Sequence, residues 1–154
     1  MNIRFATVAD IDKILVLDEQ VTKLHSDNLP ERVKNRVTDY EYLKNLIESD
    51  YGKIFIAEDN GNIVGHLICE IHDKKNHHLF SDIKTLYGFD ICVDKEYRKQ
   101  GVGLQLFEES KKYAIENKID FMEGDNWEFN QISRKFSEHA GFKTLYRKMS
   151  LKIE

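Results

Sequence analysis

The sequence predicts an α/β (α+β) fold in which short strands and amphipathic helices alternate along one domain spanning residues 1–154. Three observations carry that expectation. Asn60-Gly61 stands between two apolar runs, and a type I′ hairpin turn needs positive φ at both central positions, which Asn and Gly tolerate. Leu86 to Val93 has the aromatic and branched composition of a buried strand. Gly103, Leu106, Phe107, Ser110 and Ala114 then recur at helical spacing, so strand passes to helix through a short glycine-bearing loop. Two capping patterns, Thr7-Val-Ala-Asp10 and Thr38-Asp-Tyr-Glu41, each precede an amphipathic run.

Taken in order, Ile3 to Phe5 is a short strand, and the first capping pattern opens a helix with Ile11, Ile14, Leu15, Val21 and Leu24 inward. His25-Ser-Asp-Asn-Leu-Pro30 breaks that pattern. The second helix buries Tyr42 or Leu43 together with Leu46 and Ile47. Lys53 to Glu58 and Asn62 to Ile71 are the two arms of the hairpin. His72 to Ser81 is a polar connection, and no metal is expected at His72, His77 and His78, because no Cys or carboxylate completes a ligand spacing there. Ile119 to Glu123 is a short strand, and Asn130 to Ala140 is a helix with Ile132 and Phe136 inward. Gly141 takes the position just past its C-terminus. Phe142 to Ile153 closes the chain as one or two strands, with Leu145, Met149 and Leu151 apolar.

Composition bounds the function. With 41% hydrophobic and 32% charged residues the chain reads as a globular domain, and its net charge of -4 argues against a nucleic-acid surface, which needs a basic excess. No stretch approaches the roughly 18 apolar residues of a membrane span. Arg4, Asp10 and Asp12 interrupt the N-terminal segment as no signal peptide allows, so a cytoplasmic location is expected. Cys69 and Cys92 sit inside apolar strand patterns as core thiols rather than as a disulfide framework.

The loop Arg98-Lys-Gln-Gly-Val-Gly103 carries the chemistry. Glycines let the backbone approach a bound group, and the free amides at a helix start favour an anion such as a phosphate or pyrophosphate. The Walker A loop is excluded because Gly103-Leu104 stands where it needs Gly-Lys-Ser/Thr, and the dinucleotide fingerprint is excluded because Leu106 stands where its third glycine should be.

Val93, Arg98, Gly101, Val102 and Gly103 resemble the central signature of the GNAT superfamily of N-acetyltransferases, a strand ending in Val followed by Arg/Gln-x-x-Gly-x-Gly/Ala, with Lys99 in place of a usual glycine. Asn130-x-x-Ser133-x-x-Phe136-Ser137-Glu138-His139-Ala140-Gly141-Phe142 is similar to the family's Asn-x-x-Ala-x-x-Phe-Tyr-Glu-x-x-Gly-Phe, and the order of elements follows the family's fold. The resemblance implies a mixed, mostly antiparallel sheet whose central strand pair splays into an acetyl-CoA cleft. Backbone groups of Ile91, Cys92 and Val93 would meet the pantetheine arm, and Arg98, Lys99, Gln100, Gly101, Val102 and Gly103 would hold the pyrophosphate. Asn130 and Phe136 would line the other side. For Arg98 and Lys99 an ordinary solvated basic pair is the competing reading.

The chemistry that the resemblance implies is acetyl transfer from acetyl-CoA to a primary amine by direct attack in a ternary complex, with the oxyanion held by a backbone N–H, that of Val93. An alkyl ammonium near pKa 10.4 must lose a proton at neutral pH, a cost of about 4.6 kcal/mol, whereas a leaving thiolate near 8.5 is only about 2 kcal/mol from its protonated form. Ser137 occupies the place of the family's Tyr acid, with Tyr87 and Tyr146 as distant substitutes. Asp90, beside Phe89 where relatives carry Glu-Asp, is the candidate base; a strand carboxylate paired with a neighbouring cation is the equal alternative. The acceptor would lie against His25 to Asn35, with His25 either touching it or only closing its helix, and with Trp127 and Tyr146 as further contacts. Relatives of this kind pair through their last strands, which implies a homodimer. A non-catalytic acyl-CoA-binding or protein-interaction domain is the alternative reading.

Overall fold

Ile54-Phe55-Ile56-Ala57 is a continuous apolar run, and successive side chains of a strand leave opposite faces, so both faces of this strand require cover. The computed structural model, which describes residues 1–34 and 38–153 with the backbone alone at Phe89, shows how that cover is supplied. Strands β1 (Asn2–Phe5), β2 (Gly52–Asp59), β3 (Asn62–Lys74), β4 (Ile83–Val93) and β5 (Phe121–Glu123) form one sheet in sequential order, antiparallel from β1 to β4 and parallel between β4 and β5. Helices α1 (Ile11–Asn28) and α2 (Tyr40–Glu48) cover one face, where Ile11, Ile14, Leu43 and Leu46 pack on Ile54, Ile56 and Ile68. Helix α3 (Val102–Glu116) covers the other, with Val102, Leu106 and Ala114 on Phe55, Ala57, Leu67, Cys69 and Leu86. Each large aliphatic side chain so enclosed contributes about 1.5–3 kcal/mol relative to exposure. Helix α4 (Gln131–His139) buries none of its residues fully.

Local chemistry sets the joints. Asn60 and Gly61 have φ of 49° and 79°, the geometry the hairpin expectation required. Gly141, at φ 92°, ends α4, and the Phe142 amide bonds back to the Ser137 carbonyl. A short 3₁₀ turn, Val8–Asp10, precedes α1, and there Asp10 accepts the Thr7 amide and hydroxyl as well as two bonds from Arg4. Arg4 also holds Glu58 on β2, so one guanidinium ties β1, β2 and the entry to α1.

Four expectations are corrected. Helix α1 runs through His25-Ser-Asp-Asn28 because Ser26 and Asn28 bond back to the Lys23 and Leu24 carbonyls instead of competing with the helix, and Leu24 lies exposed. Asp39, not Thr38, caps α2 by accepting the Tyr42 amide at 3.1 Å, and Leu43, not Tyr42, is the buried residue. Ile132 faces solvent, and α4 instead turns Phe136 toward Phe107 and Gly103. Among residues 142–153 there is no strand. Leu145, Met149, Leu151 and Ile153 alternate as a strand would, but alternation marks a face without supplying an edge to pair with, and the segment is held by Arg32 on Ser150 and Lys152 on Glu31.

Asp10 is 10% exposed, and the hydrogen bond from Arg4 outweighs burial to hold its carboxyl well below the usual range. A carboxyl depressed in the folded state stabilises it above the unfolded value, near 3.9, and loses that contribution as pH falls through the folded value. Asp10→Asn is therefore expected to cost about 1.5–3 kcal/mol at pH 7 in urea unfolding. The gap to the wild type should close as pH is lowered from about 5 toward 2.

Candidate functional site

β4 positions the site through one extra residue. Cys69 pairs with Gly88 and Ile68 with Asp90, leaving Phe89 as a bulge. Paired residues share a face, so Gly88 lies with Cys69 on the α3 side while Asp90 lies with Ile68 on the α1 side. Without the bulge, Gly88 and Asp90 would point the same way.

The same strand loses a neighbour at this point. β5 pairs with β4 only over Thr85–Tyr87, and beyond that the chain passes through Gly124, where an added Cβ would stand 2.7 Å from the Gly88 carbonyl oxygen. Among the described residues, 88–93 therefore pair with β3 alone and leave an opening on the other side. The Asp94 amide bonds Val64 on β3, so alternation turns the backbone groups of Ile91 and Val93 into the opening and those of Cys92 toward its partner His66. The Val93 carbonyl accepts Arg98 Nε at 3.0 Å on that side.

The loop below the opening presents amides. Lys99 and Gly101 have φ of 62° and 82°, and the first bond inside α3 runs from the Gln105 amide to the Gly101 carbonyl. The amides of Val102, Gly103 and Leu104 precede it and have no intrahelical acceptor. A left-handed Lys99 costs about 1–2 kcal/mol, which gives the physical reason a glycine suits this position. Gln20 of α1 accepts from Arg98 Nη2 and donates to Asp94, so the loop is tied to α1; Gln100 donates to the Glu96 carbonyl. Gly103 has Phe136, Ile91 and Val93 around the place of its missing Cβ, at 3.5–3.7 Å. Asn130 caps α4 by accepting the Ser133 amide, and Ser137 Oγ accepts from Asn126.

Around Asp90 the structure assembles residues the sequence did not single out. His66 Nε2 lies 3.2 Å from Asp90 Oδ2, and Asp18 of α1 completes a group in which one ligand atom of each residue lies within 4.8 Å of the others. Thr38 donates its amide and hydroxyl to Asp18 Oδ2. Burial raises the Asp18 carboxyl above its ordinary value, only partly opposed by Thr38. Burial acts to raise Asp90, but the hydrogen bond from His66, 3.2 Å away, outweighs it and Asp90 lies below the usual carboxylate range. The signal for these residues was available: Asp18 is four residues after the buried Ile14, and His66 stands two residues before the buried Ile68 on the same strand face. His25, in the last turn of α1, contributes charge toward Asp90 and sets its ring edge-on to Phe129, 5.8 Å away. Asn35, at the end of the expected acceptor segment, lies outside the described residues. Tyr87 donates to Asp125 and stacks on His72, while Tyr146 and Trp127 are exposed.

Gly124→Ala tests the pinch at the top of the opening. A Cβ 2.7 Å from a backbone oxygen forces β4 and the chain after β5 apart, and thermal or urea unfolding is expected to show a loss of about 1–3 kcal/mol.

Comparison with known protein families matches residues 19–142 to the Acetyltransferase (GNAT) family. Against solved structures, the BH1408 protein of Bacillus halodurans, as a mutant, superposes with a TM-score of 0.96 over 100% of both chains at 22% identity. The aminoglycoside N-acetyltransferase AAC(6')-Iy in complex with CoA superposes at 0.74 over 99% of both chains at 18% identity. A ribosomal-protein-alanine N-acetyltransferase from Brucella melitensis superposes at 0.75 over 99% of this chain and 98% of that one, at 14% identity. No curated protein matches the sequence. The structural likenesses carry the fold, and the match over residues 19–142 carries the membership: the chain belongs to the GNAT acetyltransferase family.

Proposed function

We propose that the protein transfers an acetyl group from acetyl-CoA to a primary amine in a ternary complex. The observation that carries this reading is the opening beside β4, which joins an unpaired strand edge, three helix-start amides without an intrahelical acceptor and a half-buried carboxylate. Ile91 and Val93 offer backbone groups to an extended pantetheine arm, and the amides from Arg98 to Gly103 suit its pyrophosphate. Arg98 is engaged with Val93 and Gln20, and it adds positive charge there. Cys92 supports the edge through its pairing with His66, and Asn130 and Phe136 form the opposite wall.

In the reaction the amine nitrogen forms a bond to the thioester carbonyl carbon, the C–S bond breaks, and the electron pair leaves on sulfur. The Val93 N–H faces the opening and suits the transient oxyanion. Asp90 receives the amine proton directly or through a water. Its ionised state also favours holding the ammonium form before transfer, with His25 beside it on the acceptor side. Water serves to protonate the thiolate, whose pKa near 8.5 asks little of an acid. Ser137 is occupied by Asn126 and Tyr87 donates to Asp125.

The exposed alternating segment 142–153 and the outer edge of β5, unpaired among the described residues, support a homodimer in which each closes on the other copy. No helix among the described residues is long and apolar enough to cross a membrane, and two free buried thiols fit a reducing compartment, so the proposed location is cytoplasmic.

Calorimetric titration tests the cofactor part: acetyl-CoA and CoA should bind, ATP weakly, and Gly101→Glu should abolish binding. In the same preparation Asp90→Asn should lower turnover on amine acceptors about ten-fold or more with acetyl-CoA affinity intact. A folded protein that binds neither CoA species would instead favour a non-catalytic interaction domain. For assembly, sedimentation at micromolar concentration should give a dimer; a monomer would retire it.

A further inference from the structure

His66 is fully buried, and its Nδ1 has no hydrogen-bond partner among the described residues, while its Nε2 faces Asp90 at 3.2 Å. An orphaned buried N–H is rarer and costlier than an orphaned lone pair. The arrangement therefore favours the tautomer with hydrogen on Nε2, which donates to Asp90 and leaves Nδ1 as the unpartnered acceptor. From the other side, a carboxyl oxygen of Asp18 lies within 4.8 Å of one of Asp90, while Thr38 supplies two donors to Asp18 Oδ2. Two carboxylates this close, in a site 3% exposed at one and 15% at the other, do not both ionise. With Oδ2 of Asp18 taken by donors, its other oxygen is the one left to carry a proton toward Asp90.

We infer that Asp18 and His66 are positioning residues for Asp90: Asp18 through a carboxyl O–H and His66 through its Nε2–H each donate one hydrogen bond to the Asp90 carboxylate, holding it aimed at the acceptor side of the opening. The inference rests on the reading of Asp90 as the group that meets the amine. The proton released by the amine then enters a unit of two carboxyls and one imidazole and is not carried by a lone aspartate. The opposite directions of the two aspartate shifts agree with this assignment. The other titratable groups near Asp90 are His25 from α1, Tyr42 from α2 and Cys92 from β4 itself, and none of them takes either donor position.

The test is a carboxyl carbon NMR titration of the whole chain, as wild type and as Asp18→Asn, Asp18→Ala, His66→Gln and His66→Leu. In the wild type Asp18 should remain protonated where exposed aspartates are already ionised, and Asp90 should ionise below them. Asp18→Ala and His66→Leu should shift the Asp90 midpoint upward, since each removes a donor to the carboxylate. Asp18→Asn and His66→Gln, which keep an N–H donor and no new charge, should leave it in place. An ordinary midpoint for Asp18, or an Asp90 midpoint unmoved by both donor deletions, overturns the inference, and the wild-type titration decides the first point even if a deletion variant fails to fold.

A second arm uses acetyl-CoA with 1,4-diaminobutane as the amine probe. The acidic limb of kcat/KM should track the Asp90 midpoint, with a loss of about ten-fold or more in the donor deletions and unchanged acetyl-CoA affinity. Perturbed titrations without any acetyl transfer would sink the acetyltransferase reading while leaving the hydrogen-bonded unit intact. Transfer with ordinary titrations would do the reverse.

Discussion

The bulge at Phe89 is the constraint on which the arrangement of the site depends. A strand offers only two directions, and a carboxylate at position 90 is useful only if it turns away from α3, where Leu106 and Val102 leave no polar partner, and toward α1, where Asp18 lies. One inserted residue makes that turn without altering the composition of either face. It falls where β5 stops following β4, so the residue that redirects Asp90 also marks the start of the opening. The Gly88–Gly124 approach lies at the same level: absence of a side chain on one strand lets the other come close enough to end the pairing sharply.

Around that bulge the electrostatics divide between neighbours. Asp18 and Asp90 face each other across α1 and β4, yet burial outweighs the Thr38 donors at Asp18 while the His66 imidazole outweighs burial at Asp90. A single charge spread between two carboxyls costs less to enclose than two. The loop before α3 is linked to this region through Gln20, two residues after Asp18, which bonds both Arg98 and Asp94. Helix α1 thus touches the anion-favouring loop and the acid group with residues only two positions apart.

Features governed by local backbone geometry were legible in the sequence. Asn60-Gly61 and Gly141 each announce a positive φ, and the structure has it at each of them. The alternation and periodicity of β2, β3 and α3 were equally readable because both faces of the sheet are filled from within the chain. What escaped depended on partners distant in sequence. Asp18 and His66 each interrupt an apolar pattern, and only the register of β3 on β4 and the docking of α1 reveal that the two interruptions meet. Thr38 looked like a cap and is instead a donor to Asp18, twenty residues earlier. The segment 142–153 has the pattern of a strand and pairs with no edge among the described residues, and Ile132 has the spacing of a core residue on a helix that buries none of its residues fully.

The two cysteines give the sheet a chemical reporter on each side. Cys69 lies under α3, and Cys92 lies under α1 with its thiol directed at the Leu17 carbonyl. Burial pushes both thiols up to about 12, so neither forms appreciable thiolate near neutral pH while its helix stays docked. Alkylation or oxidation at these positions therefore records departure of the overlying helix, Cys69 for α3 and Cys92 for α1. The chain carries two independent clocks for the opening of its two layers.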